Sequence, residues 1–167
     1  MKGPRIGIVM GSESDWPIMQ NVVVELKSFD ITYEVSVLSA HRTANEAKHY
    51  ADSARSRGIR VLIAGAGGAA HLAGILAGCT PLPVIGIPIP TSHLNGLDSL
   101  LATVQMPSGV PVATVAIGGS KNAALLAIQI LALSDDHLME RFIDFKASMK
   151  ARVLDMDARV KAIAQSL

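Results

Sequence analysis

Five short apolar runs, spaced out by helical patterns, constrain this chain more than any other feature. They are Arg5–Met10, Thr32–Leu38, Val61–Gly65, Val84–Pro88 and Val112–Ala116. Each is rich in β-branched residues, and most are apolar at nearly every position. A half-exposed strand alternates, whereas a strand buried on both faces does not. Between the first two runs, Met19, Val22, Val23 and Leu26 follow the i, i+3, i+4, i+7 stripe of an amphipathic helix. Strand and helix signals in alternation predict right-handed crossovers, hence a parallel sheet covered by helices on both faces. Ligands of such sheets bind beyond the carboxyl ends of the strands, where strand order reverses.

The chain has 167 residues, half of them hydrophobic. Only 17% are charged, against roughly 25% in average domains. We read residues 1–167 as one domain with a large core. Net charge is +1 with no basic run, which argues against nucleic acid, because phosphate backbones demand clustered Lys and Arg. Cys79 is the only cysteine, so neither a disulfide framework nor a cysteine-based zinc site forms within one chain. After the charged start, Met1 to Arg5, the next apolar run is too short for a signal core. No run approaches the ~20 residues of a membrane span. The chain is read as soluble and cytoplasmic, with no membrane partner.

The predicted ligand loops hold Gly11-Ser12-Glu13-Ser14-Asp15, Ser39-Ala40-His41-Arg42-Thr43, Gly65-Ala66-Gly67-Gly68-Ala69-Ala70-His71 and Pro90-Thr91-Ser92-His93. His41 can exchange a proton near neutral pH. Arg42 beside it can grip a carboxylate or phosphate through two parallel hydrogen bonds. In the first loop, Gly11 allows close approach, and the serine hydroxyls and first helical amides can bind an anion. Asp15 is equally a helix N-cap or an acceptor for sugar hydroxyls. The third loop delivers backbone amides and His71 to a small ligand. Its small residues are also what close backbone packing requires. His49 and His137 fall on helical stretches and are read as solvated.

Four familiar sites find no support in the sequence. Gly65 to Ala70 imitates G-x-G-x-x-G/A, but it follows the third strand, and no acid stands ~20 residues on to hold a ribose. Gly118-Gly119-Ser120-Lys121 lacks P-loop spacing. Gly-x-Ser-x-Gly is absent, which removes the hydrolase elbow. The histidine spacing suggests no metal site.

The tail differs. Leu138, Phe142, Phe145, Met149, Val153, Met156, Val160, Ile163 and Leu167 recur at spacings of three and four. A continuous helix over Asp136–Gln165 would be about 45 Å long, against about 35 Å for the preceding globule. Residues 135–167 are therefore expected to form a helical extension that packs in a homo-oligomer.

At the loop motifs the chain resembles a known family. Gly11–Trp16, Ser39–Thr43, Ala64–Leu72, Asp98-Ser99-Leu100-Leu101, Val104-Gln105-Met106-Pro107 and Asn122–Ala127 look like the class I phosphoribosylaminoimidazole carboxylases, also called N5-carboxyaminoimidazole ribonucleotide mutases. The resemblance spans about Arg5 to Leu133. It implies a flavodoxin-like three-layer sandwich, an octamer joined by C-terminal helices, and no metal, nucleotide cofactor or biotin. The implied reaction moves a carboxylate from an exocyclic nitrogen to a ring carbon of an aminoimidazole ribonucleotide, by loss and recapture of carbon dioxide. Under it, Arg42 and Ser12 would hold the phosphate and Asp15 the ribose, with Ser39 in support. His41 would be the general acid and base. The Gly67 and Gly68 amides and the His71 loop would hold the carboxylate or carbon dioxide. A direct carboxylase using the same pocket, and a non-catalytic nucleotide-binding module, are the rival readings. The family usually carries proline where this chain has Ala44 and Ala73, which predicts less restrained loops. Gly118–Lys121 also looks shorter than in many relatives.

Overall fold

The computed structural model describes Gly3 and residues 5–166. Met1, Lys2 and Pro4 of the charged start, and Leu167 of the tail stripe, lie outside the described residues. The chain divides into two compact units, Met1–Ile130 and Leu131–Leu167.

The first unit is built on five parallel strands: β1 (Ile6–Met10), β2 (Tyr33–Val37), β3 (Val61–Gly67), β4 (Val84–Ile89) and β5 (Ala113–Thr114). The helices are α1 (Trp16–Ser28), α2 (Ala44–Ala54), α3 (Leu72–Cys79), α4 (Leu97–Val104), α5 (Ser120–Ala132) and α6 (Asp136–Gln165). Strand order is β2-β1-β3-β4-β5. That is the flavodoxin-like order, whose reversal lies between β1 and β3. All five sequence-predicted strands are present. β3 and β4 extend past their predicted ends to Gly67 and Ile89, while β5 keeps only two paired residues.

β1 and β4 are buried at every position, as their unbroken apolar runs require. β2 is an edge strand in which half-buried Glu34 and Ser36 alternate with Val35 and Val37, which are exposed. On one face Val9, Leu62, Ala64 and Val84 pack with Ala47 and Ala51 of α2 and Leu72, Ala73 and Leu76 of α3. α4 covers the same face. A Cβ on Gly86 of β4 would meet the Thr103 methyl at 2.5 Å and the Ala73 Cβ at 3.5 Å. On the opposite face Met19 of α1 lies directly over Gly65. Glu25 of α1 pairs with Lys121 of α5 at 3.3 Å, which sets α5 beside α1. Helices on both faces complete the three layers.

In the second unit, α6 runs 30 residues over the predicted span. Asp135 caps it, accepting from the Leu138 N–H at 3.1 Å. Leu138 and Phe142 are buried, whereas Val153, Met156, Val160 and Ile163 are exposed. No described helix is long and apolar enough to cross a membrane.

Candidate active site

Four strand ends converge on one cavity of about 370 Å³, within the range of small-ligand pockets. β1 delivers Gly11, Ser12, Ser14 and Asp15. β2 delivers Ser39, Ala40, His41 and Arg42. β3 delivers Ala66, Gly67, Ala70, His71 and Leu72, and β4 delivers Ile89 and Pro90. Seven of the eight sequence-predicted site residues line the cavity. Gly68 does not, because its N–H is donated to the Ser99 hydroxyl at 2.9 Å. Of the remaining histidines, none of His49, His93 and His137 lines this cavity, and all three are exposed.

The first loop organises itself. Ser12 accepts from the Ser14 N–H at 3.4 Å and from the Ser14 hydroxyl at 3.0 Å. Asp15 accepts from the Ser12 N–H at 3.1 Å, completing a capping box. Burial raises the Asp15 carboxyl above its ordinary value, and the hydrogen bonds from Ser12, Ser14 and Gly11 only partly offset that.

The second loop is held by Ser39. Its hydroxyl accepts from the His41 and Arg42 N–H groups at 3.4 and 3.2 Å, and from Arg42 Nε at 3.4 Å. Arg42 also donates from a terminal nitrogen to the Gly11 carbonyl at 3.4 Å. The guanidinium thus bridges the loops that follow β1 and β2. Thr43 closes the loop with two bonds to Ser39: its hydroxyl accepts the Ser39 N–H at 2.8 Å and donates to the Ser39 carbonyl at 3.2 Å. Hydrogen bonds therefore restrain the entry to α2, where Ala44 stands.

His41 Nε2 lies 2.7 Å from His71 Nδ1, with the rings nearly perpendicular at 80°. One of the two nitrogens carries the shared hydrogen. The two residues are thirty positions apart, and only the parallel sheet brings them together. Among the described residues, no three of His, Cys, Asp and Glu converge to hold a metal ion. The Gly118–Lys121 turn sits elsewhere: Gly118 donates to the Pro88 carbonyl at 2.9 Å, and Lys121 pairs with Glu25.

A family model described as AIR carboxylase matches residues 5–152. The chain belongs to the AIR carboxylase family. An N5-carboxyaminoimidazole ribonucleotide mutase of Mycobacterium tuberculosis is 52% identical over 164 residues, 98% of this chain and 94% of that protein. A protein of the same name from Saccharolobus solfataricus is 57% identical over 151 residues, 90% and 96% of the two chains. The crystal structure of Treponema denticola PurE superposes with a TM-score of 0.85 at 30% identity, covering 93% of this chain and 98% of that one.

Sequence reasoning within the AIR carboxylase family missed Ser99. It is fully buried in α4 and contacts the cavity only through the backbone of two loops. The one signal available was its place in the Asp98–Leu101 motif, which no function had claimed.

Proposed function

We propose that this cavity is the active site of an N5-carboxyaminoimidazole ribonucleotide mutase, an isomerase of purine biosynthesis. The observation that carries it is the meeting of the His41–His71 pair with Arg42, Ser12 and Asp15 in one cavity, in a chain 52–57% identical to proteins of that name. Arg42 and Ser12 take the phosphate, which suits a planar donor fork beside a hydroxyl. Asp15 accepts from the ribose hydroxyls. Ser39 fixes Arg42 rather than reaching the ligand.

The reaction that the resemblance implies then gives each of these groups a step. The bond from the exocyclic nitrogen to the carboxylate carbon breaks, and its electron pair stays on nitrogen as carbon dioxide forms. His41 supplies the proton that nitrogen gains. The ring carbon attacks the carbon dioxide, and the resulting tetrahedral carbon returns a proton to His41. The contact of His41 Nε2 with His71 Nδ1 orients the imidazole for both steps. A single group serves as acid and then base, a role an imidazole fills near neutral pH. The Gly67 amide and the His71 loop enclose the small intermediate, confining it and excluding water.

The exposed apolar stripe of α6, Val153 to Ile163, supports packing against further copies of the chain. We extend the reading to a cytoplasmic homo-octamer on that stripe and on the family resemblance. The functional test compares wild type with His41→Asn, on the carbamate substrate and on aminoimidazole ribonucleotide plus bicarbonate. Wild type turns over the carbamate faster. His41→Asn lowers kcat by about 10²–10⁴-fold, while substrate binding stays measurable by calorimetry. Faster turnover of ribonucleotide plus bicarbonate makes the chain a direct carboxylase. Unchanged turnover in His41→Asn removes His41 from the chemistry.

A further inference from the structure

Ser99 lies in the first turn of α4 with no exposed surface. Its hydroxyl donates to the Ile89 carbonyl at 2.7 Å and accepts the Gly68 N–H at 2.9 Å. β3 and β4 pair as far as Gly67 and Ile89, and a single oxygen carries that join one residue further, into the turn after β3. These are two neighbouring walls of the cavity: Ala66, Gly67 and His71 on one side, Ile89 and Pro90 on the other. Gly68 has φ +64°, a left-handed conformation open to glycine, and this turn presents its N–H to Ser99. Without the serine oxygen, that N–H and the Ile89 carbonyl would lose their bridge at the seam between the walls. A serine serves here because one hydroxyl both donates and accepts.

We infer that Ser99 is a positioning residue that keeps the β3–β4 seam shut while carbon dioxide is free in the site. The inference rests on the mutase reading, which makes carbon dioxide a detached intermediate. If the seam opens in that interval, the carbon dioxide leaves and water enters. The nitrogen already holds the proton from His41, so the balanced products of escape are aminoimidazole ribonucleotide and carbon dioxide. Loss of the clamp thus appears as leakage, a different outcome from slow chemistry.

The experiment measures the ratio of aminoimidazole ribonucleotide to carboxylated product from the carbamate without added bicarbonate, above the no-enzyme rate. Ser99→Ala raises that ratio about five- to thirtyfold, as expected for loss of one or two modest hydrogen bonds from the closed state. Ser99→Cys, a weaker donor of similar shape, falls between. Thr103→Val is the control. Thr103 is buried one turn on in the same helix and donates to the Ser99 carbonyl at 2.7 Å, with no bond to either loop. It destabilises the fold but leaves the ratio at the wild-type value. Amide exchange of Gly68 is read in parallel: protected in wild type and Thr103→Val, unprotected in Ser99→Ala. A wild-type ratio in folded Ser99→Ala overturns the inference. So does an equal rise in Thr103→Val, which would trace leakage to general loosening of α4. If Ser99→Ala does not fold, Ser99→Cys decides by the same ratio. A wild type that never turns over the carbamate overturns the retention role together with the mutase reading, and Gly68 exchange still decides whether Ser99 holds the turn.

Discussion

Gly86→Ala tests how tightly α4 is set against β4. A Cβ there would stand 2.5 Å from the Thr103 methyl and 3.0 Å from Val112 Cγ1. Carbon atoms pack at about 3.5–4.0 Å, so the helix and strand must separate by on the order of 1 Å. Thr103 cannot swing aside. Its β-branched χ1 is stiff in a helix, its hydroxyl is held 2.7 Å from the Ser99 carbonyl, and it is 2% exposed. Overpacking of this kind costs about 1–3 kcal/mol. For a chain of this size that is a fall in Tm of roughly 2–12 °C. Thr103→Ser removes the clashing methyl and keeps the hydroxyl, at about 0.8 kcal/mol for the lost burial. The double variant Gly86→Ala/Thr103→Ser should be more stable than the two single effects predict, by on the order of 1 kcal/mol. Calorimetric or urea unfolding at one fixed protein concentration measures all four proteins, since assembly makes Tm concentration-dependent. Single effects that add to within about 0.5 kcal/mol would refute the reasoning, because the strain would then lie somewhere other than the Gly86–Thr103 contact.

Asp15→Asn should separate stability from function. Burial raises the Asp15 carboxyl in the folded chain, so the native state holds this proton more firmly than the unfolded state. The wild type then loses stability as pH rises from the ordinary carboxylate value through the raised one, and the loss persists at neutral pH. The amide keeps an acceptor for the Ser12 N–H and carries no charge. Asp15→Asn is expected to be more stable than wild type at pH 7, with the gap closing near pH 3–4, while KM rises about tenfold or more through loss of charge-assisted bonds to the ribose. Equal urea midpoints at pH 7, or an unchanged KM, would contradict this. Truncation after Ser134 removes α6, and light scattering should show smaller or unstable species. An intact octamer would exclude the stripe from assembly.

Much of this architecture is legible in the sequence because burial writes it there. β1 and β4 are apolar at almost every residue, and they are the strands covered on both faces. α6 follows its apolar spacing from end to end. β5 was the least legible: Val112–Ala116 reads as five strand residues, yet only Ala113 and Thr114 pair with β4. Three site loops were readable because Gly, Ser, His and Arg at strand exits are costly unless used. The contact of His41 with His71 was invisible, since it depends on β1 standing between β2 and β3. Ser99 was invisible for a different reason. Its partners are backbone groups, which leave no trace in residue identity, and a serine early in a helix reads first as a cap.

The short β5 bears on how the molecule meets its own kind. Beyond Thr114 the backbone continues along β4 without forming strand: Val115 donates to the Gly86 carbonyl at 3.1 Å, and Gly118 to the Pro88 carbonyl at 2.9 Å. The side of β4 away from β3 is thereby occupied by irregular chain that offers no regular ladder to a newcomer. Unpaired strand edges are where chains zip together into aggregates. At the opposite edge of the sheet, β2 carries Glu34, paired with Arg57 at 3.0 Å, a charge that discourages the same pairing. Crowded copies of this protein thus meet neither edge of the sheet as a long, flat, uncharged strand.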